Sequence, residues 1–315
     1  MRLDDVYKKV MNDDKGKYDF EVELGDLVLE MDGKTVRVSD DLGYELNDYS
    51  TTQFFSKLGM PARYNKKLRK VKPELVANQA NLWIRENSDK KVLMRTKNEY
   101  VRGVLSDKYT IMNNVTLLEY LLDELHDVGA KVEKFELTDK QFFLRGTIPT
   151  KTTEVREGDV LKVGFDIENS EVGYNSLRIT PMVYRQVCSN GLRMWVNEGG
   201  RYVQRHIHVD KEEIDKRVVA AFHGVVNHNR ELFEILSAST GVEMLDIEST
   251  IDSISENENL SNKLTERVKE HVQGETAYDL MNAFTRAARD IDNIDRRLEV
   301  EELAGRELTK IVNVA

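Results

Sequence analysis

His206 and His208 stand two residues apart. On a strand that spacing puts both rings on one face, which is metal-ligand geometry. Cys188, His223 and His228 are the residues that would extend such a set. None of them falls at a diagnostic spacing, so stacking or polar histidines are the reading that the pattern favours, and no metal and no cofactor are expected. Asp166, Glu168 and Glu171 form a second group. Paired carboxylates hold Mg²⁺ for phosphodiester hydrolysis, which makes Asp166, Glu168, His206 and His208 the candidates for a metal-dependent nuclease. The same carboxylates would pair with Arg178 and Arg185 across neighbouring strands, and that simpler arrangement is preferred. The sequence has no Walker-type glycine loop, GxSxG, HExxH or GxGxxG. A lone cysteine in a strand-rich stretch reads as a small core residue rather than a nucleophile.

Basic residues offer more. Arg63, Lys66, Lys67, Arg69, Lys70 and Lys72 crowd into ten positions with no acid among them. A solvated helix end is the plain reading; a phosphate-contact surface is the functional one. Basic and aromatic residues also interleave along the middle of the chain, as at Arg63-Tyr64, Arg95 with Tyr100 and Arg102, Tyr184-Arg185, and Arg201-Tyr202. A positive groove with stacking rings is how single strands are held without reading sequence. The first candidates for phosphate contact are therefore Arg63, Lys66, Lys67, Arg69 and Lys70, followed by Arg95, Arg102 and Arg185.

The charge distribution agrees with that assignment. The net charge is −10, which argues against a nonspecific nucleic-acid binder taken whole. Yet residues 1–50 sum to −7, residues 51–210 to +6 and residues 211–315 to −9. One cysteine excludes an internal disulfide framework and suggests a reducing cytoplasm. No apolar run approaches the ~18 residues of a membrane span, and the N-terminal residues do not read as a secretory signal.

The elements that would position these groups can be read from periodicity. Residues 1–50 read as strand-rich, with a hairpin turning at Asp32-Gly33. Ser50 to Gln53 has capping-box spacing, Gly59 suits a helix stop, Pro61 a short second helix, and Pro73 a third. Residues 91–112 look like short strands, 115–128 a helix, 131–148 a hairpin turning at 138–140, and 160–169 a strand. Pro181 demotes the strand around it to an edge, a bulge or two strands. Asn190-Gly191 has the composition of a type I′ turn. From Asp210 onward the chain has no proline and carries helical stripes, at roughly 242–254, 259–272, 276–290 and 292–312. The expected fold is α+β: a mixed, largely antiparallel sheet body over 1–208, its basic middle at 51–208, and an acidic helical region at 209–315.

Four segments, FFSKLGMPARYNKKL, MRTKNEYVRGVLSDKYTIMNN, NSEVGYNSLRITPMVYRQVCSNGL and TAYDLMNAFTRAARD, resemble the phage- and plasmid-borne family called domain of unknown function 932. The likeness covers about residues 50 to 290 and implies a mobile-element origin without supplying a reaction. The order of elements is also similar to that of phage single-strand annealing proteins, which are oligomers with a basic groove. Together these give the expected function: a non-catalytic, annealing-type protein of phage DNA metabolism, binding single-stranded DNA as a homo-oligomer. The alternatives are a protein-binding phage factor that blocks a host defence complex, since acidic ends mimic DNA or dock basic partners, and the metal-dependent nuclease.

Overall fold

The computed structural model describes residues 1–39, 42–185, 190–195, 200–207, 213–227 and 229–314. The chain opens with helix α1 (Leu3–Asp14), where strands were expected. Leu3, Val6 and Val10 recur at helical spacing and are buried. The stripe is only three residues wide among charged neighbours, which hides it in the sequence.

The first sheet is built from β1 (Lys17–Glu23), β2 (Val28–Leu29), β3 (Thr35–Ser39), β4 (Leu42–Leu46), β5 (Lys91–Lys97) and β6 (Tyr100–Ser106). Its strand order is β1-β5-β6-β4-β3-β2. The β4–β6 pair is parallel, because the chain leaves the sheet after β4 to build three helices. These are α2 (Asp48–Lys57), α3 (Ala62–Arg69) and α4 (Pro73–Glu86). The Asn47 side chain caps α2 by accepting from the Tyr49 and Ser50 amides, so the helix begins before the expected Ser50 box. Gly59 ends it at φ +72°, and Pro73 takes the first turn of α4. Phe54, Phe55, Val76, Ala80 and Ile84 then pack on Val92, Met94, Val101 and Val104 of the sheet.

Helix α5 (Asn114–Asp127) leads into the second sheet, β7 (Lys131–Leu137), β8 (Phe142–Arg156), β9 (Asp159–Asn169), β10 (Leu177–Arg185), β11 (Asn190–Arg193) and β12 (Tyr202–Gln204). It is antiparallel throughout, in the order β7-β8-β9-β10-β11, with β12 also on β10. β10 runs unbroken through Pro181. β12 covers Leu177 to Ile179 and β11 covers Met182 to Arg185. The proline sits at the seam between those partners, where a missing N–H removes no ladder bond. Asn190 and Gly191 lie in β11 rather than in a turn.

α1, α5 and α6 (Ile214–Asn227) cover one face of this sheet. Phe165 of β9 meets Phe222 of α6 edge-on at 5.1 Å, and each ring buried contributes about 2–3 kcal/mol. α7 (Asn229–Ser239), α8 (Ile247–Asn257), α9 (Asn262–Glu270), α10 (Ala277–Arg289) and α11 (Ile294–Val314) follow. They share a core with Leu161, Val183 and Leu192 of the strands and with Met194 just after β11. α11 lies so close to β11 that a Cβ on Gly305 would stand 2.2 Å from the Arg193 carbonyl oxygen. The fold is α+β with a helical C-terminal part, as expected. Among the described residues, no helix is long and apolar enough to cross a membrane.

Candidate nucleic-acid interface

α3 is a short helix whose inner face is nearly all that ties it down. Asn65 is buried and Leu68 half-buried, while Arg63, Tyr64, Lys67 and Lys70 are exposed. Lys66 and Arg69 turn toward α2. Lys66 Nζ donates to the Asp48 carbonyl at 3.1 Å, and Arg69 Nη1 donates to Thr51 Oγ1 at 3.0 Å. The five first-choice residues thus divide into two anchors and three outward cations. A groove of about 430 Å³ runs beside them, lined by Asp48, Thr52, Arg63, Lys66 and Lys70. Tyr64 is 60% exposed within this positive face, so much of its ring stands in water. Val71, between α3 and α4, and Leu75, Leu82 and Trp83 of α4 are further exposed apolar residues. Helical spacing alone puts Leu75 and Trp83 on one apolar face with Val76, Ala80 and Ile84; the fold buries the last three and leaves the first two in water.

The second-choice arginines go elsewhere. Arg95 is wholly buried. Its Nε and Nη2 donate to Asp19 at 2.9 and 2.8 Å, Nη1 donates to the Glu171 carbonyl at 2.6 Å, and Nη2 also reaches Asn113. Arg102 is 5% exposed and donates to the Glu171 carboxylate at 2.7 Å. Lys17 Nζ and the Asn114 amide, at the start of α5, reach that carboxylate at 2.8 Å each. Burial pushes the Glu171 carboxyl up, but Lys17, Arg102 and the amide outweigh it and hold it below the ordinary range. Gln53 adds a clamp from α2, donating to the Val172 carbonyl and accepting from the Val104 amide. The 169–172 loop is therefore the joint between the two sheets. Arg185 is fixed too: it grips Asp159 with Nε and Nη2 at 2.7 Å, and Asp159 also accepts from Tyr278 of α10. Arg95 and Arg102 are withdrawn from any surface that a strand could reach, and Arg185 is committed to Asp159. Their strand patterning concealed this, because an arginine opposite a carboxylate on a covered face looks in sequence like one facing solvent.

Asp166 and Glu168 are internal counter-ions. Arg145 forks onto Asp166 at 2.8 Å through both Nε and Nη2, and onto Glu301 of α11 at 3.0 and 2.5 Å. Arg193 donates to Glu168 and, at 2.9 Å, to Thr180 Oγ1, with its Nε 3.3 Å from Asp166. Ion pairing across the sheet is what the carboxylates do, but with Arg145 and Arg193 in place of the expected partners. Arg178 reaches Glu168 only at 3.9 Å. Gly191 makes room for this centre: a Cβ there would stand 2.5 Å from Arg145 Nη1.

His206 is far from those carboxylates in role. Its ring is buried and stacks on Tyr109 at 5.2 Å between centroids. Burial, aided by the Arg95 cation, lowers its pKa to about 4, so the ring is neutral at ordinary pH. His223 pairs with Glu124 at 2.7 Å on the surface. His208, Cys188 and His228 lie outside the described residues, among which no group of three or more His, Cys, Asp or Glu side chains is placed to hold a metal. Asp166 and Glu168, already spanned by two guanidinium groups, and His206, stacked on Tyr109, do not come together as one site.

A comparison with family models finds no match to the chain, and comparisons with curated proteins and with solved structures find none either.

Proposed function

We propose that this chain is a non-catalytic protein of mobile-element DNA metabolism that holds single-stranded DNA on the α3 surface. The observation that carries the reading is the outward face of α3, where Arg63, Lys67 and Lys70 are exposed beside an exposed Tyr64 and no acid lies between residues 62 and 72. Cations on a rigid helix gain affinity by releasing the counterions condensed on a phosphate backbone, which needs no base contact. An exposed ring adds about 1–3 kcal/mol per stacked base and tolerates any sequence. The −10 net charge does not oppose this, because the acidic side chains of the C-terminal helices stand on other elements, and fields fall away within a Debye length of about 8–10 Å.

The test is anisotropy of a labelled single-stranded oligonucleotide across a salt series, with duplex as control. Binding should weaken with a slope of about −0.7 per phosphate neutralised. Arg63→Glu, Lys67→Glu and Lys70→Glu together should abolish it, and Tyr64→Ala should weaken it without changing the salt slope. Binding that survives the triple reversal overturns the assignment. The exposed Leu75, Leu82 and Trp83 of α4 favour a second reading, a protein partner. Absence of oligonucleotide binding at low salt, with stoichiometric capture of one host protein, would put that reading first.

A further inference from the structure

The exposed α3–α4 face has a complement on the same chain. Between Glu243 and Asn262 there are six acidic residues and no basic one, against six basic residues and no acid between Ala62 and Lys72. The acidic stretch forms the approach to α8 and α8 itself. Glu243, Glu248 and Glu256 are exposed. Leu245, between them, is as exposed as a leucine can be, at 108% of its reference area. On the other surface Val71 is 74% exposed and Trp83 48%. Each surface therefore pairs one sign of charge with an unburied apolar residue. Single exposed apolar groups are ordinary, but a matching protrusion and apolar patch, each framed by opposite charge, are complementary in both shape class and sign.

Within one molecule each surface rests on its own neighbours. α3 packs on α2 and α4, and α8 packs on α9. Their ion pairs are local: Asp252 binds Lys269 and Glu258 binds Arg306, while Lys66 and Arg69 lean on Asp48.

We infer that the occupant of the α3–α4 face is a second copy of this chain, docked through its 243–256 segment with Leu245 against the exposed apolar residues of α4. Because the two patches differ, the contact is head to tail. Each copy offers one patch of each kind, so the assembly grows into a ring or an open filament rather than stopping at a two-fold dimer. This stands without the single-strand reading, although both use the α3 cations.

The experiment is multi-angle light scattering on the full chain at low and high salt, with two charge-reversed variants. One carries Arg63→Glu, Lys67→Glu and Lys70→Glu; the other carries Glu243→Lys, Glu248→Lys and Glu256→Lys. All six positions are solvent-facing, so neither variant should unfold. The wild type should exceed single-chain mass at low salt and return to it at high salt. Either variant alone should be monomeric, since reversing three of six like charges cancels the net charge of one patch and removes the attraction. An equal mixture should associate again, at least in pairs, because the intact acidic patch of one variant meets the intact basic patch of the other. Leu245→Asp should weaken wild-type assembly at every salt concentration. A monomeric wild type, variants that assemble as the wild type does, or a mixture that stays monomeric overturns the inference. The acid-reversed variant keeps α3 intact, so its oligonucleotide binding separates failure here from failure of the single-strand reading.

Discussion

Arg63, Lys67 and Lys70 on α3, and Arg95, Arg102, Arg145 and Arg193 in the sheets, come from one positive stretch of chain. The first three stand in water on a helix held by two inward residues. The other four are each at most 5% exposed and surrounded by carboxylates. The same positive charge does different work in the two places. A solvated cation loses little if its partner leaves, and its field is screened by salt. A buried one cannot give up its counter-ion without leaving a bare charge in a low-dielectric interior. A segment's net charge therefore measures its capacity for ion pairing, and only the topology decides whether solvent or a neighbouring strand takes it up.

The contrast breaks most sharply at Arg145. Arg145→Met leaves Asp166 and Glu301 facing each other across an apolar side chain. We expect a loss of about 3–5 kcal/mol in urea unfolding, with part of it recovered when Asp166→Leu and Glu301→Leu are added. A loss below about 1 kcal/mol would show that the centre is hydrated.

Acid titration sharpens the comparison next. His206 takes up its proton near 6.5 when unfolded and only near 4 when folded. Between those values the unfolded chain binds more protons, so stability falls as pH falls. The loss should be about 3 kcal/mol at 1.36 kcal/mol per unit. His206→Phe keeps the stack on Tyr109 and should remove that slope; an unchanged slope would mean that another group carries it. Glu171 acts in the same direction at lower pH. Its depressed carboxyl contributes fully above its ordinary value of 4.5, and that contribution is lost as the pH falls toward the folded value. Glu171→Gln should therefore flatten the stability curve below about pH 4.5.

The smallest effect on folding belongs to α3. The triple glutamate variant should change stability by less than about 0.5 kcal/mol. If residual oligonucleotide binding can be measured at all, its salt slope should be shallower by about 2, at 0.7 per lost contact. A large change in stability would move these residues into the buried class.

Most of the second half was legible, because proline-free stripes at 3.6-residue spacing and alternating strands at 2-residue spacing dominate it. The α5 helix, the β7–β8 hairpin and the four last helices fall near their expected places. α1 was hidden by its charged neighbours. Asn190-Gly191 misled because glycine serves packing there: its missing Cβ admits Arg145, and the turn composition is incidental. Pro181 misled because an edge was assumed to belong to a whole strand, whereas two short partners leave an edge at one residue. At the site, the α3 cluster was visible as a run of like charges. The pairing of Arg145 with Glu301 was not, since nothing local links residues 156 positions apart.

That separation has a consequence for how the chain is made. Arg145 and Asp166 leave the ribosome long before Glu301, and the strands that carry them can pair while α11 is still unsynthesised. Until the last helix arrives, the sheet holds one guanidinium short of a carboxylate on a face that must be covered. The strands can therefore form first, but the neutralisation and cover of that face wait for α11. A chain in which α11 has not yet docked carries an open charged face on its second sheet, a face that closes only when two segments far apart in sequence meet.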